Sequence, residues 1–192
     1  MKKKYDLVLP ATATDLDILK LIDEDKLVRL HPHWFIEDAE HRDGTFFVTL
    51  RDYANEQVFS LGLKLDVAPK SDDPVGARII MRILLFDYGV KELLFFARQG
   101  KTQVQVSYGY DAEQADDELE QDMLLWIRSI QEYLRIYATT TPYTVFFRLL
   151  MNRMVLQMDP SQRKICLMLT KITVVELVVI LVIVIGYVSF GQ

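Results

Sequence analysis

The stretch KITVVELVVILVIVIGYVSFGQ, at the C-terminal end, constrains this chain more than any other feature. Between Ile172 and Phe190 its only polar side chains are Thr173, Glu176 and Ser189. A helix of about nineteen residues rises roughly 28 Å, close to the hydrocarbon thickness of a bilayer. In lipid, a helix satisfies all of its own backbone groups. The rival is a buried β-strand, favoured by the β-branched residues of VVILVIVIGYV, but strands usually run about five or six residues. The expectation is one transmembrane helix, with residues 165–192 forming the anchor.

Charge gives the orientation. Arg163, Lys164 and Lys171 precede the apolar run, and nothing charged follows Glu176. The positive-inside rule then places the N-terminal part in the cytoplasm, on a single-pass topology. Glu176 lies about one turn inside the apolar run. It either reaches the interface or contacts a helix of a membrane-protein partner, because a carboxyl group in lipid is costly. Cys166 lies near the boundary, where palmitoylation occurs; the simpler reading is one more apolar residue. As the only cysteine, it excludes an internal disulfide.

The net charge of −5 is carried by the N-terminal part, since from Tyr143 onward five basic residues face two acids. An acidic body argues against nucleic acid as a partner. The basic segment beside the tail suits anionic membrane lipid. That segment, PYTVFFRLLMNRMVLQMDP, lies between Pro142 and Pro160 and reads as an amphipathic helix. Its polar strip is Arg148, Asn152 and Arg153. One reading lays it in the membrane interface with the arginines toward headgroups; the other packs it on the body. Residues 141–164 are assigned as an interfacial neck, with Arg148, Arg153, Arg163, Lys164 and Lys171 at the membrane surface.

Residues 1–140 read as an α+β domain. MKKKYDLVLPA is a first strand, without the apolar core of a signal peptide. TATDLDILKLIDEDKLVRLHP reads as two short helices, the first capped by Thr14 or Asp15 and the second stopped by Pro32. Six strands follow. In FSLGLKLDV, Phe59, Leu61, Leu63, Leu65 and Val67 alternate with polar or small residues, the period of a half-buried antiparallel strand. TQVQVSYGY repeats this through Thr102, Val104, Val106, Tyr108 and Tyr110. Gly89 and Gly100 mark the turns of a meander, and VAPKSDDPVG is a longer polar loop. Last comes an amphipathic helix with Leu119, Met123, Trp126, Ile127, Ile130, Tyr133, Leu134 and Tyr137 on one face. The acids from Asp111 to Asp122 crowd its start, where the helix dipole favours them.

This order, with LHPHW after the two short helices and QGKTQVQVSYGY feeding the long one, resembles the helix-grip fold of the START and Bet v 1-like (SRPBCC) superfamily. The resemblance covers roughly Lys3 to Ala138. It implies a curved antiparallel sheet of about seven strands wrapped on the long helix, with a cavity between them for a hydrophobic small molecule such as a lipid or quinone. Phe59, Leu61, Leu63, Ile79, Met81, Ile83, Tyr108, Trp126, Ile130 and Tyr133 would line that cavity. The same residues are what a packed core needs.

Chemistry is thinly marked. His31, His33 and His41 fall in HPHWFIEDAEH, but Pro32 and the strand after it work against convergence on a metal. No phosphate loop, serine elbow or zinc-protease motif occurs. Tyr108, Tyr110, Arg78 and Arg82 are available to a cyclase-type enzyme, though nothing singles them out, and no catalytic residue or cofactor is assigned. The functional expectation is a membrane-anchored, non-catalytic ligand-binding domain with Ala68 to Gly76 or the long helix as a lid. An accessory subunit of a membrane complex is the alternative, and a cyclase or dehydratase the third.

Overall fold

The computed structural model describes residues 1–7, 21–66, 78–98, 101–109 and 117–190, with the side chains of residues 78, 79, 98, 101 and 188–190 left out. The first of the two expected short helices, the turn at Gly100, the loop from Ala68 to Gly76 and Tyr110 lie outside the described residues. The chain forms two compact units, Met1–Gln157 and Met158–Gln192.

The first unit is built on a seven-stranded antiparallel sheet: β1 (Lys2–Leu7), β2 (Trp34–Arg42), β3 (Thr45–Asp52), β4 (Val58–Asp66), β5 (Arg78–Phe86), β6 (Val90–Arg98) and β7 (Lys101–Tyr108). Its order is β1-β7-β6-β5-β4-β3-β2, a meander closed at one edge by the N-terminal strand. Lys2 pairs with Ser107 and Leu7 with Thr102. Period-two patterning sends Phe46, Val48 and Leu50 of β3, Leu61 and Leu63 of β4, and Val104, Val106 and Tyr108 of β7 into the core. Register shifts at Ile36/Asp38, Ile79/Met81 and Val90/Glu92 mark bulges, which bend and twist the strands locally.

Helix α1 (Glu24–Arg29) begins where Asp23 accepts a hydrogen bond from the Lys26 amide at 2.8 Å. It ends three residues before Pro32. The long helix α2 (Asp117–Ala138) buries Met123, Trp126, Ile127, Ile130, Tyr133 and Leu134, which join the sheet's inward side chains in one core. Lys3 of β1 forms an ion pair with Glu120 of α2. Arg82 is partly exposed and bound to Glu92 on the neighbouring strand.

Helix α3 (Pro142–Arg153) starts in a capping box between Thr141 and Thr144, with Pro142 in its first turn. A 3₁₀ turn, Val155–Gln157, then buries Leu156 against the core. The neck helix thus belongs to the first unit. The second unit contains α4 (Pro160–Phe190), a helix of 31 residues that begins well before the apolar run expected at Ile172. It is long and apolar enough to cross a membrane, and none of its most apolar stretch is buried.

Candidate functional site

Eight of the ten residues expected to line a cavity are core. Leu61, Leu63, Met81, Ile83, Tyr108, Trp126, Ile130 and Tyr133 are between 0% and 4% exposed. They pack among Leu50, Leu93, Phe95 and Ile127 in a single cluster. The side chain of Ile79 lies outside the described residues. Phe59 is half-buried and borders the larger open space.

That space is a cleft of about 570 Å³ where the N-terminal half of α2 meets the starts of β2 and β4. Two turns build its walls. The β3–β4 turn brings Asp52, Asn55 and Gln57, with Asp52 accepting from the Ala54 amide at 2.7 Å. The β5–β6 turn brings Asp87 and Tyr88, and the chain reverses through Asp87 and Gly89, both at positive φ. Gly89 is required twice over: its φ is +71°, and a Cβ there would lie 3.1 Å from Leu119 of α2. Helix α2 closes the cleft with Glu118, Leu119, Asp122 and Leu125.

Behind the cleft sits an aromatic cluster centred on Trp34. Its ring stacks on His31 at 4.0 Å between centroids and meets Phe59, Tyr88 and Trp126 at 5.6, 5.3 and 5.2 Å. Phe59 and Tyr88 are themselves stacked at 5.3 Å. Trp34 is 1% exposed, and its Nε1 has no hydrogen-bond partner among the described residues.

A polar chain runs beside these rings. The fully buried His31 places Nε2 3.0 Å from Asp122 Oδ1, and its Nδ1 accepts from the His33 amide at 3.3 Å. The tautomer that satisfies both nitrogens carries its proton on Nε2. Tyr88 Oη donates to the other carboxylate oxygen, Oδ2. Burial pushes the Asp122 carboxyl up, but His31, then Tyr88 and His33, outweigh it and hold the group below the usual carboxylate value. The His31 ring is therefore enclosed and occupied at both nitrogens, while Asp122 is its link to the cleft.

The other expected positions fall apart from the cleft. Arg148 does not point outward: its guanidinium donates to the carbonyls of Ile136, Tyr137 and Thr139 and lies 4.8 Å over the Tyr137 ring. The four last carbonyls of a helix lack intrahelical partners, so the C-terminus of α2 is where such a donor fork is strongly held. Asn152 donates to Tyr137 Oη and accepts from Tyr133 Oη. Burial, then the neighbouring Tyr137, raises the Tyr133 phenol far above its ordinary value. Arg153 is exposed, as are Lys164, Lys171 and Glu176 on α4, and Arg163 donates to the Met158 carbonyl at 3.0 Å. Cys166 is a half-exposed free thiol. Among the described residues no three His, Cys, Asp or Glu side chains converge to hold a metal ion.

The partnership of His31, Asp122 and Tyr88 was not among the expected site residues. Its only sequence trace is the HPHW stretch and an acid on the border of the long helix's apolar face.

No family model matches the chain. No curated protein matches it either. Solved structures do. An AHSA1-like protein from Aeromonas hydrophila is similar over 73% of this chain and 97% of its own, at 12% identity and a TM-score of 0.44. Chr148 from Cytophaga hutchinsonii is similar over 69% and 89%, at 16% identity and 0.41. The Zhui aromatase/cyclase from Streptomyces sp. R1128 is similar over 72% and 92%, at 12% identity and 0.32.

Proposed function

We propose that this chain is a membrane-anchored, non-catalytic ligand-binding protein. In this reading α4 crosses the bilayer once, the first unit stands on the cytoplasmic side, and the cleft takes a small molecule with a hydrophobic body and a polar group. The observation that carries the membrane half is α4 itself, an apolar helix whose spanning stretch has no side chain buried against protein. A soluble protein exposing such a surface would aggregate, and a bilayer removes that penalty.

For the ligand, Phe59, Tyr88, Leu119 and Leu125 supply an apolar wall and Asp52, His33 and Asp122 the polar groups. A few convergent polar groups on an apolar wall are what fix a small molecule's orientation. The eight buried candidates back this wall as core, so a ligand reaching between sheet and helix has to part them.

The test uses the full chain, purified from membranes in detergent, beside a Phe59→Asp variant. Organic extracts of both are compared by mass spectrometry. A compound present in stoichiometric amount in the first and lost in the second is the expected result. Identical extracts from two folded proteins would overturn the ligand reading. Release of the full chain from membranes by alkaline carbonate would overturn the anchor.

A further inference from the structure

Helix α3 leaves much of its apolar surface facing outward. Its apolar side chains Tyr143, Val145, Phe146 and Leu149 are between 50% and 70% exposed, and none of its residues is buried. Its inward side is mixed: Arg148 holds three carbonyls at the end of α2, Asn152 bonds Tyr137 and Tyr133, and Met151 packs against the core with Phe147 and Leu150 half-buried. A surface helix of a water-soluble domain turns mainly polar side chains to that outward side. The polar anchor points also fix which face is left outward, because Arg148 and Asn152, four residues apart, share one side.

We infer that the outward face of α3 lies in the headgroup layer of the membrane that α4 crosses, with Val145, Phe146 and Leu149 against the acyl boundary. This rests on the anchor reading and adds an orientation to it. Three observations favour lipid as the occupant. Only six residues, Met154 to Asp159, separate α3 from α4. Apart from the inward Arg148, the chain from Tyr143 to Glu176 carries Arg153, Arg163, Lys164 and Lys171 against Asp159 and Glu176, a basic excess that suits anionic headgroups. The exposed apolar set is aromatic and aliphatic, with Arg153 among it able to extend to phosphate, as in helices that lie in the interface plane.

The face of α3 away from lipid grips the C-terminal end of α2, while the cleft is built on Glu118 to Leu125 near its other end. At 1.5 Å per residue, Asp122 and Tyr137 are roughly 22 Å apart along that helix. The cleft is therefore held away from the end of α2 that meets the membrane.

The experiment is site-directed spin labelling of the full chain in vesicles of phosphatidylcholine and phosphatidylglycerol, with Cys166→Ser as background. Single labels at Leu149→Cys, Ile180→Cys and Asn55→Cys are scored for collision with oxygen, which favours lipid, and with a water-soluble nickel chelate. The expected result is loss of nickel relaxation and gain of oxygen relaxation at Leu149 relative to Asn55, with Ile180 deeper still. Leu149 behaving like Asn55 while Ile180 is in lipid would overturn this inference and leave the anchor standing. Ile180 in water with Leu149 in lipid would overturn the anchor and keep the interfacial helix. Leu149 shielded from both reagents would show that protein, a second copy or another chain, covers the face, and would overturn the inference.

Discussion

Trp126 Nε1 donates a 2.7 Å hydrogen bond to the Leu27 carbonyl, joining the long helix to a short helix 99 residues earlier in the chain. The indole is fully buried between them, so the bond is shielded from water and cannot be exchanged for a solvent bond. Trp126→Phe leaves the Leu27 carbonyl without that donor, at a cost of about 1–3 kcal/mol. Trp126→Ala removes the ring as well and costs about 3–5 kcal/mol. Urea unfolding monitored by far-ultraviolet circular dichroism separates the two, and a Trp126→Phe variant as stable as the wild type would show that the bond contributes nothing beyond packing.

The Asp122 carboxyl carries a pH signature. Its folded-state pKa lies below the unfolded value near 3.8, lowered by His31 and Tyr88 against the opposing effect of burial. A depressed acid stabilises the fold above the unfolded pKa and loses that contribution as pH falls through the folded one. Asp122→Asn is expected to cost about 1–3 kcal/mol at pH 7. The gap to the wild type then narrows below about pH 4. Paired urea titrations from pH 7 downward measure it, and a gap that stays constant with pH would rule out the carboxylate as its source.

The residues of this pair lie 91 positions apart, which is why the sequence did not announce them. What was legible was local. Alternation in Thr102, Val104, Val106 and Tyr108 gave β7, and helical spacing from Met123 to Leu134 gave the buried face of α2. The pairing of β1 with β7 was not readable, because nothing in MKKKYDL specifies a partner a hundred residues away. Periodicity likewise marks an inward face without saying whether it encloses space. Leu63, Met81 and Ile83 satisfy the pattern of a cavity wall and turn out to be fully buried core. In α3 the polar strip was readable but its direction was not. Amphipathicity names two faces, and the carbonyls at the end of α2 decided which one turned inward.

Arg148 tests that direction. Its fork holds three carbonyls and lies flat on Tyr137, a geometry that a lysine's point charge does not reproduce. Arg148→Leu is expected to destabilise the first unit by about 1.5–3 kcal/mol, and Arg148→Lys to recover little of it. Thermal unfolding of both variants in the same detergent provides the comparison. Full recovery by lysine would indicate a side chain that needs only charge, as one facing headgroups would.

Where the first unit ends is testable by truncation. The long helix stops at Ala138, and a boundary there, after Thr141, looks natural from the strand and helix pattern. That cut removes Arg148 from the helix end, Asn152 from Tyr133 and Tyr137, and Leu156 from a site where it is 4% exposed. It also removes the Leu156 carbonyl that Arg29 reaches at 3.5 Å. Burying one leucine contributes about 1.5–3 kcal/mol, and each lost charged hydrogen bond about as much again. A chain ending at Gln157 is therefore expected to unfold cooperatively at a clearly higher urea concentration than one ending at Thr141. The longer chain should also float with anionic vesicles through its exposed Phe146 and Leu149 while the shorter one does not. Equal urea midpoints would mean that α3 and the 3₁₀ turn add nothing to the fold, and the unit boundary would move back to the end of α2.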